Sequence, residues 1–166
     1  MVGVEIQKPT LESAWEALSR IADPEIPVLS LVELNIIREV RIVEMRVTVE
    51  MTPTFLGCPA LEYMKKEIKD KLLGLGFDEV TVELKLSPPW STDMLTEEVR
   101  EKLRVFGIAP PEKRMATLAE ALQKPVACPY CRSMETRLDS PFGPTLCKQI
   151  FYCEQCKQSF ERFKTL

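Results

Sequence analysis

The chain has 166 residues, 45% of them hydrophobic and 28% charged, with a net charge of −3. Those proportions suit one ordinary soluble domain, or a small domain plus a module. The apolar runs are short and broken by charge, which leaves no candidate transmembrane helix, and Met1–Pro9 lacks the blocks of a signal peptide. The expectation is a cytoplasmic protein with no membrane partner, where six cysteines serve metal or thiol chemistry rather than disulfides.

The chain contains no histidine. That removes the usual general base near neutral pH and the Ser-His and Cys-His nucleophile pairs. Any zinc must be held by cysteines, or by cysteines with carboxylates. Charge is uneven. Residues 1–107 carry 13 basic and 19 acidic side chains, whereas residues 108–166 carry 9 and 6. An acidic main body is a poor nucleic-acid footprint.

Residues 10–22 predict an amphipathic helix, with Leu11, Ala14, Trp15, Leu18, Ile21 and Ala22 on one face and Thr10 as its cap. Pro24 ends it. Asp23-Pro24-Glu25-Ile26-Pro27 then forms a stiff acidic loop, in which Asp23 either caps a turn or is presented to a ligand. Period-2 alternation over 36–42 and 45–51 predicts an antiparallel strand pair turning at Val43-Glu44.

Thr52-Pro53-Thr54-Phe55-Leu56-Gly57-Cys58-Pro59-Ala60 connects this pair to a helix over about 59–73. Pro59 suits the first helical position, which places Cys58 at or next to the N-cap. A sulfur there meets free N–H groups and the positive end of the helix dipole, and both favour thiolate. Gly57 allows close backbone approach. Leu61, Met64, Ile68 and Leu72 make the core stripe, and Gly74 or Gly76 a left-handed cap. Val80–Leu86 is a third strand, broken by Ser87-Pro88-Pro89-Trp90, with Trp90 packing over the sheet edge. Thr96 caps a helix whose buried stripe is Val99, Leu103 and Phe106, with Gly107 as its stop. One more helix is expected over 112–122. The order helix, strand, strand, helix, strand predicts a small α/β sandwich over residues 1–107. Residues 108–125 read as a linker.

Residues 126–166 carry Cys128-Pro129-Tyr130-Cys131 and Cys153-Glu154-Gln155-Cys156. Two such knuckles read as a four-thiolate site on an all-β zinc ribbon, with the strands turning through Ser140–Pro144. A single iron or an Fe–S cluster fits the same spacing. Cys147 lies six residues before Cys153, about 20 Å along an extended strand at ~3.3 Å per residue, so it is read as ribbon core and not a ligand. The module holds six basic and four acidic side chains. A zinc tetrathiolate would cancel that excess, which favours protein docking over nucleic acid.

Taken together, Asp23–Pro27, Thr52-Pro53-Thr54, Gly57-Cys58-Pro59-Ala60, Ser87-Pro88-Pro89-Trp90 and the double Cys-x-x-Cys tail resemble the PaaD family of phenylacetate-degradation proteins, the D (or J) component of the phenylacetyl-CoA epoxidase system. The likeness spans about residues 10–166. The first part also resembles the wider family that includes SufT and the eukaryotic cytosolic Fe–S targeting factors. The resemblance implies an Fe–S assembly-type α/β domain followed by a zinc ribbon. It implies an accessory protein, with no activity alone, that helps mature an Fe–S or iron centre of the epoxidase. The rival reading is a redox or structural subunit with iron in the four-cysteine site. Asp23, Thr52, Thr54 and Cys58 fall on the family's motif positions, with Cys58 as the functional thiol that transiently holds iron or an Fe–S cluster. Leu56 departs from the aromatic and small residues of that motif and bears on access to Cys58. One cysteine cannot complete such a ligand set, so an epoxidase component, an Fe–S client or a second copy must supply the rest.

Overall fold

A computed structural model describes residues 8–112 and 124–165. Except for its first residue, the helix expected over 112–122 lies outside them.

Helix α1 runs Leu11–Ser19 and begins as its sequence demands. Thr10 Oγ1 accepts from the Ser13 amide at 3.1 Å, and Ser13 Oγ accepts from the Thr10 amide at 2.9 Å. This reciprocal pair satisfies two of the orphan donors at a helix start. Ala14, Ala17 and Leu18 face the core. The loop after it closes on itself, with Ala22 bridging Ser30 and the Leu31 amide donating to the Ile21 carbonyl at 2.9 Å.

Strands β1 (Ile37–Val43) and β2 (Arg46–Met51) pair antiparallel through a two-residue turn. The turn is Glu44-Met45, one residue later than expected. Glu44 takes the positive φ of 57° that a tight hairpin requires. Helix α2 (Leu61–Gly74) buries Met64, Ile68 and Leu72, and Gly76 turns the chain at φ 104°. Strand β3 (Glu79–Leu84) then lies parallel to β2, which makes β2 the centre of a three-stranded sheet. Glu50 on that strand accepts from Arg41 and Lys85, both at 2.6 Å. The first pair links β1 to β2, and the second links β2 to the chain just after β3.

A 3₁₀ turn, Thr92–Met94, leads to α3 (Glu97–Phe106), with Thr96 as N-cap and Gly107 as left-handed C-cap at φ 95°. Val99 and Leu103 are buried as expected. Phe106 is not: it is 49% exposed. The Gly107 cap turns the backbone away after one more residue, so Phe106 stays in a surface groove beside Tyr130.

The second sheet has the order β4 (Ile108–Ala109), β7 (Ser159–Phe163), β6 (Lys148–Cys153), β5 (Thr136–Ser140). Strands β5, β6 and β7 form an antiparallel ribbon. Strand β4 joins it parallel to β7. Two residues read as linker therefore belong to the ribbon's sheet.

The ribbon is stitched to the first unit at its other end. Phe163 is 1% exposed and belongs to the main core, where its ring lies 5.8 Å from that of Trp90. The Trp90 indole N–H donates to the Leu34 carbonyl at 2.7 Å, so its polar atom is satisfied inside the core. Lys148 Nζ, from the ribbon, reaches the Glu25 carbonyl at 3.1 Å. A smaller core of Ala109, Val126, Cys128, Phe151, Cys153 and Phe160 holds the metal-site half of the ribbon. Among the described residues no helix is long and apolar enough to cross a membrane.

Two candidate cysteine centres

The four knuckle cysteines sit on two copies of one turn. In each, the residue after the second cysteine takes positive φ, Arg132 at 65° and Lys157 at 58°. Arg132 and Lys157 donate their amides to the carbonyls of Cys128 and Cys153, both at 2.9 Å. The amides of Cys128 and Cys153 in turn donate to the carbonyls of Ser133 and Gln158, again at 2.9 Å. Equal turns present four sulfurs to one point. All four lie within 4.8 Å of one another, with Cys128 and Cys156 at 3.7 Å and Cys131 and Cys153 at 3.6 Å.

Such crowding opposes ionisation of all four without a cation. Burial, then the neighbouring thiols, push Cys156 up to about 12, while the Cys156 amide lowers Cys153 to about 7. A divalent ion removes that conflict, and four thiolates in this arrangement fit tetrahedral zinc. Bound there, zinc would cross-link the two knuckles and supply folding energy to a module with a small core.

Cys58 lies elsewhere. The helix it precedes starts at Leu61, with Ala60 as N-cap, so Cys58 stands two residues before the expected position. The cause is local. The Leu61 amide donates to the Cys58 carbonyl at 3.2 Å, which makes residues 58–61 a tight turn instead of the first helical turn. The sulfur still meets the amides of Ala60 and Leu61, and these lower its pKa. Burial raises it by more, and the charges of Asp23 and Glu25 raise it further. The net direction is up. Cys58 is a half-buried thiol, not the thiolate expected from its place near a helix end.

Asp23, Thr54 and Cys58 line one cavity, as the motif positions imply. Asp23 both caps a turn and faces the site. Its Oδ1 accepts from the amides of Glu25 at 2.8 Å and Ile26 at 2.9 Å. Burial nonetheless raises its pKa. Thr52 is not part of this lining. It is 2% exposed, and its hydroxyl donates to the Lys85 carbonyl at 2.7 Å, fastening the end of β2 to the chain after β3. Phe55 and Leu56 stand at the surface, 39% and 73% exposed. Leu56 therefore does not cover the thiol.

The opposite wall comes from the ribbon: Thr145, Leu146, Cys147 and Phe163. Cys147 does not lie in the ribbon core, where its spacing from Cys153 would put it. It packs instead against the main core, the same cluster that Cys58 packs on, because the chain leading into β6 runs along the first unit. It is also outside the group of four sulfurs. The signal in the sequence is arithmetic: four of six cysteines complete a tetrathiolate, which leaves Cys58 and Cys147 as a spare pair.

Comparison with known proteins finds two family models, one on each part of the chain. Residues 11–84 match the family model of iron–sulfur cluster assembly proteins, and residues 112–164 match that of the PaaD zinc β-ribbon domain. An Escherichia coli K12 protein, provisionally named as the D component of 1,2-phenylacetyl-CoA epoxidase, is 39% identical over 97% of this chain and 96% of its own length. The chain belongs to the PaaD family. An Fe–S protein maturation auxiliary factor from Porphyromonas gingivalis is 33% identical over 57% of this PaaD-family chain and 90% of its own. Two solved structures share the first unit's fold. A conserved hypothetical protein from Thermotoga maritima has a TM-score of 0.51 and 30% identity, and covers 58% of this chain and 96% of its own. A domain of unknown function from Bacillus anthracis has a TM-score of 0.51 and 24% identity, and covers 55% and 89%. This PaaD-family chain is thus an assembly-type α/β unit extended by a cysteine-bearing ribbon.

Proposed function

We propose that this protein is an accessory factor of a phenylacetyl-CoA epoxidase-type complex, assisting the maturation of its Fe–S or iron centre, with no turnover of its own. The observation that carries the reading is the single cavity that collects Asp23, Thr54 and Cys58 from the assembly-type unit. The cavity has room for about 20 Å³, enough for one water-sized body. With no histidine in the chain, no imidazole stands ready to activate the thiol for acyl transfer. Cys58 is then a ligand or a contact for a client thiol, masked by burial until a partner engages it. Zinc in the ribbon is the structural ion. Docking through the ribbon to an epoxidase component fits its near balance of charge.

The test is reconstitution of the epoxidase with this protein present, comparing the wild type with Cys58→Ala. The variant is expected to fold and bind zinc normally while the client's iron content and activity fall to the level without the factor. Full client loading by Cys58→Ala overturns the reading. Metal analysis of aerobic protein separates the rival role, since ribbon iron would be coloured and redox-active and zinc is neither.

A further inference from the structure

Every cysteine that the ribbon centre leaves over faces the same cavity. We propose that Cys147 is the second thiol of the Cys58 site, so that Cys58 and Cys147, with Asp23, take one soft or borderline divalent cation such as ferrous iron between the two units. This rests on the iron-handling reading of Cys58 and adds the ligand that the assembly-type unit lacks.

The donors suit the ion. Thiolates select soft and borderline metals, and a carboxylate beside them supplies a harder third ligand. Binding releases one proton from each thiol, leaving two thiolates and one carboxylate around a dication. The surroundings support those charges. Thr145 Oγ1 lies 3.2 Å from Cys147 Sγ and can donate to it once ionised. The Asp23 oxygen Oδ1 is fixed by two amides, which leaves Oδ2 without a hydrogen bond from any described residue. Lys148, which reaches the Glu25 carbonyl at 3.1 Å, is paired with Glu161 at 2.8 Å. About 20 Å³ of room between the donors is enough for one water-sized body, the scale of a single ion. Unlike the ribbon set, these donors are not drawn into a ready group of three. The ion would have to gather them, which suits transient rather than permanent binding.

Cobalt(II) is the probe, added anaerobically to full-length, zinc-loaded protein. Wild type is expected to bind one equivalent beyond its zinc, with a thiolate-to-cobalt charge-transfer band and no zinc released. Cys58→Ser and Cys147→Ser are each expected to weaken that binding by at least about tenfold and to diminish the band. Retained zinc and an unchanged near-ultraviolet dichroism spectrum show that each variant is folded. A second measurement needs no variant: in wild-type protein, mass-mapped alkylation of Cys58 and Cys147 should fall together when cobalt is added. If Cys147→Ser binds cobalt like wild type, or if cobalt shields Cys58 and leaves Cys147 open, the shared site is overturned while the Cys58 reading stands. A wild type that binds no extra cobalt also overturns it, and the reconstitution assay with Cys58→Ala then judges Cys58 separately.

Discussion

The two cysteine centres are opposites in how their geometry is obtained. In the ribbon, each pair of sulfurs belongs to one local turn, and two copies of that turn bring four sulfurs within 4.8 Å of one another. In the cavity, each sulfur comes from a different unit and is held by packing. The first arrangement is prepared for a resident ion. In the second, burial opposes ionisation of both thiols, and among the described residues no third donor stands close enough to complete a group. If both centres bind metal as proposed, preorganisation and not ligand type separates permanent from transient binding.

The largest expected effect comes from breaking the prepared centre. Structural zinc of this kind is worth roughly 10–16 kcal/mol of apparent binding. Chelation, or Cys128→Ser, should therefore unfold β5–β7, seen as loss of their amide-exchange protection. Because Phe163 sits in the main core, the first unit should soften as well. A first unit whose melting ignores zinc removal would break the comparison, since the cavity wall would then be independent of the ribbon.

A smaller effect tests the stitching itself. Phe163→Ala removes a ring that is 1% exposed and packed on Trp90. Its cost should be about 3–5 kcal/mol by denaturant unfolding, in the range for large aromatic truncations. Zinc affinity should change little, because Phe163 belongs to the other core. Cys58 should alkylate faster, since Phe163 lines its cavity.

The smallest effect is electrostatic. Burial and the charge of Asp23 hold the Cys58 thiol above its ordinary pKa. Its alkylation should be slow at neutral pH and should climb as pH rises past the ordinary thiol range. Asp23→Asn removes an anion that opposes the thiolate, so the rate profile should move to lower pH. The sign is the test, and a shift to higher pH would mean that Asp23 supports the thiolate.

Much of this is legible in the residues. Period 2 over 36–42 and 45–51, the caps at Thr10 and Thr96, and the paired Cys-x-x-Cys turns are local signals, and each element forms close to its expected place. The helix after Cys58 starts late because a tight turn at 58–61 competes with the first helical turn, a choice of one hydrogen bond that composition does not decide. Thr52 and Thr54 look alike in sequence. Only the parallel placement of β3 gives Thr52 a carbonyl to bind and leaves Thr54 at the cavity. Cys147 escapes sequence reasoning for a related reason. Its environment depends on how two separately patterned units lie against each other, and no periodicity within either one encodes that. The exposed Phe106 shows the same limit, because its stripe position is correct and only the path after Gly107 leaves it uncovered.

Phe163 carries one last consequence, for the order of events at the ribosome. About a hundred residues separate it from Cys58 along the chain. The nascent first half must therefore emerge with an unfilled socket and a bare thiol, and stay so until the tail has been translated and folded back. A partner or metal carrier that recognises the bare thiol could act at that stage, before the finished protein hides it.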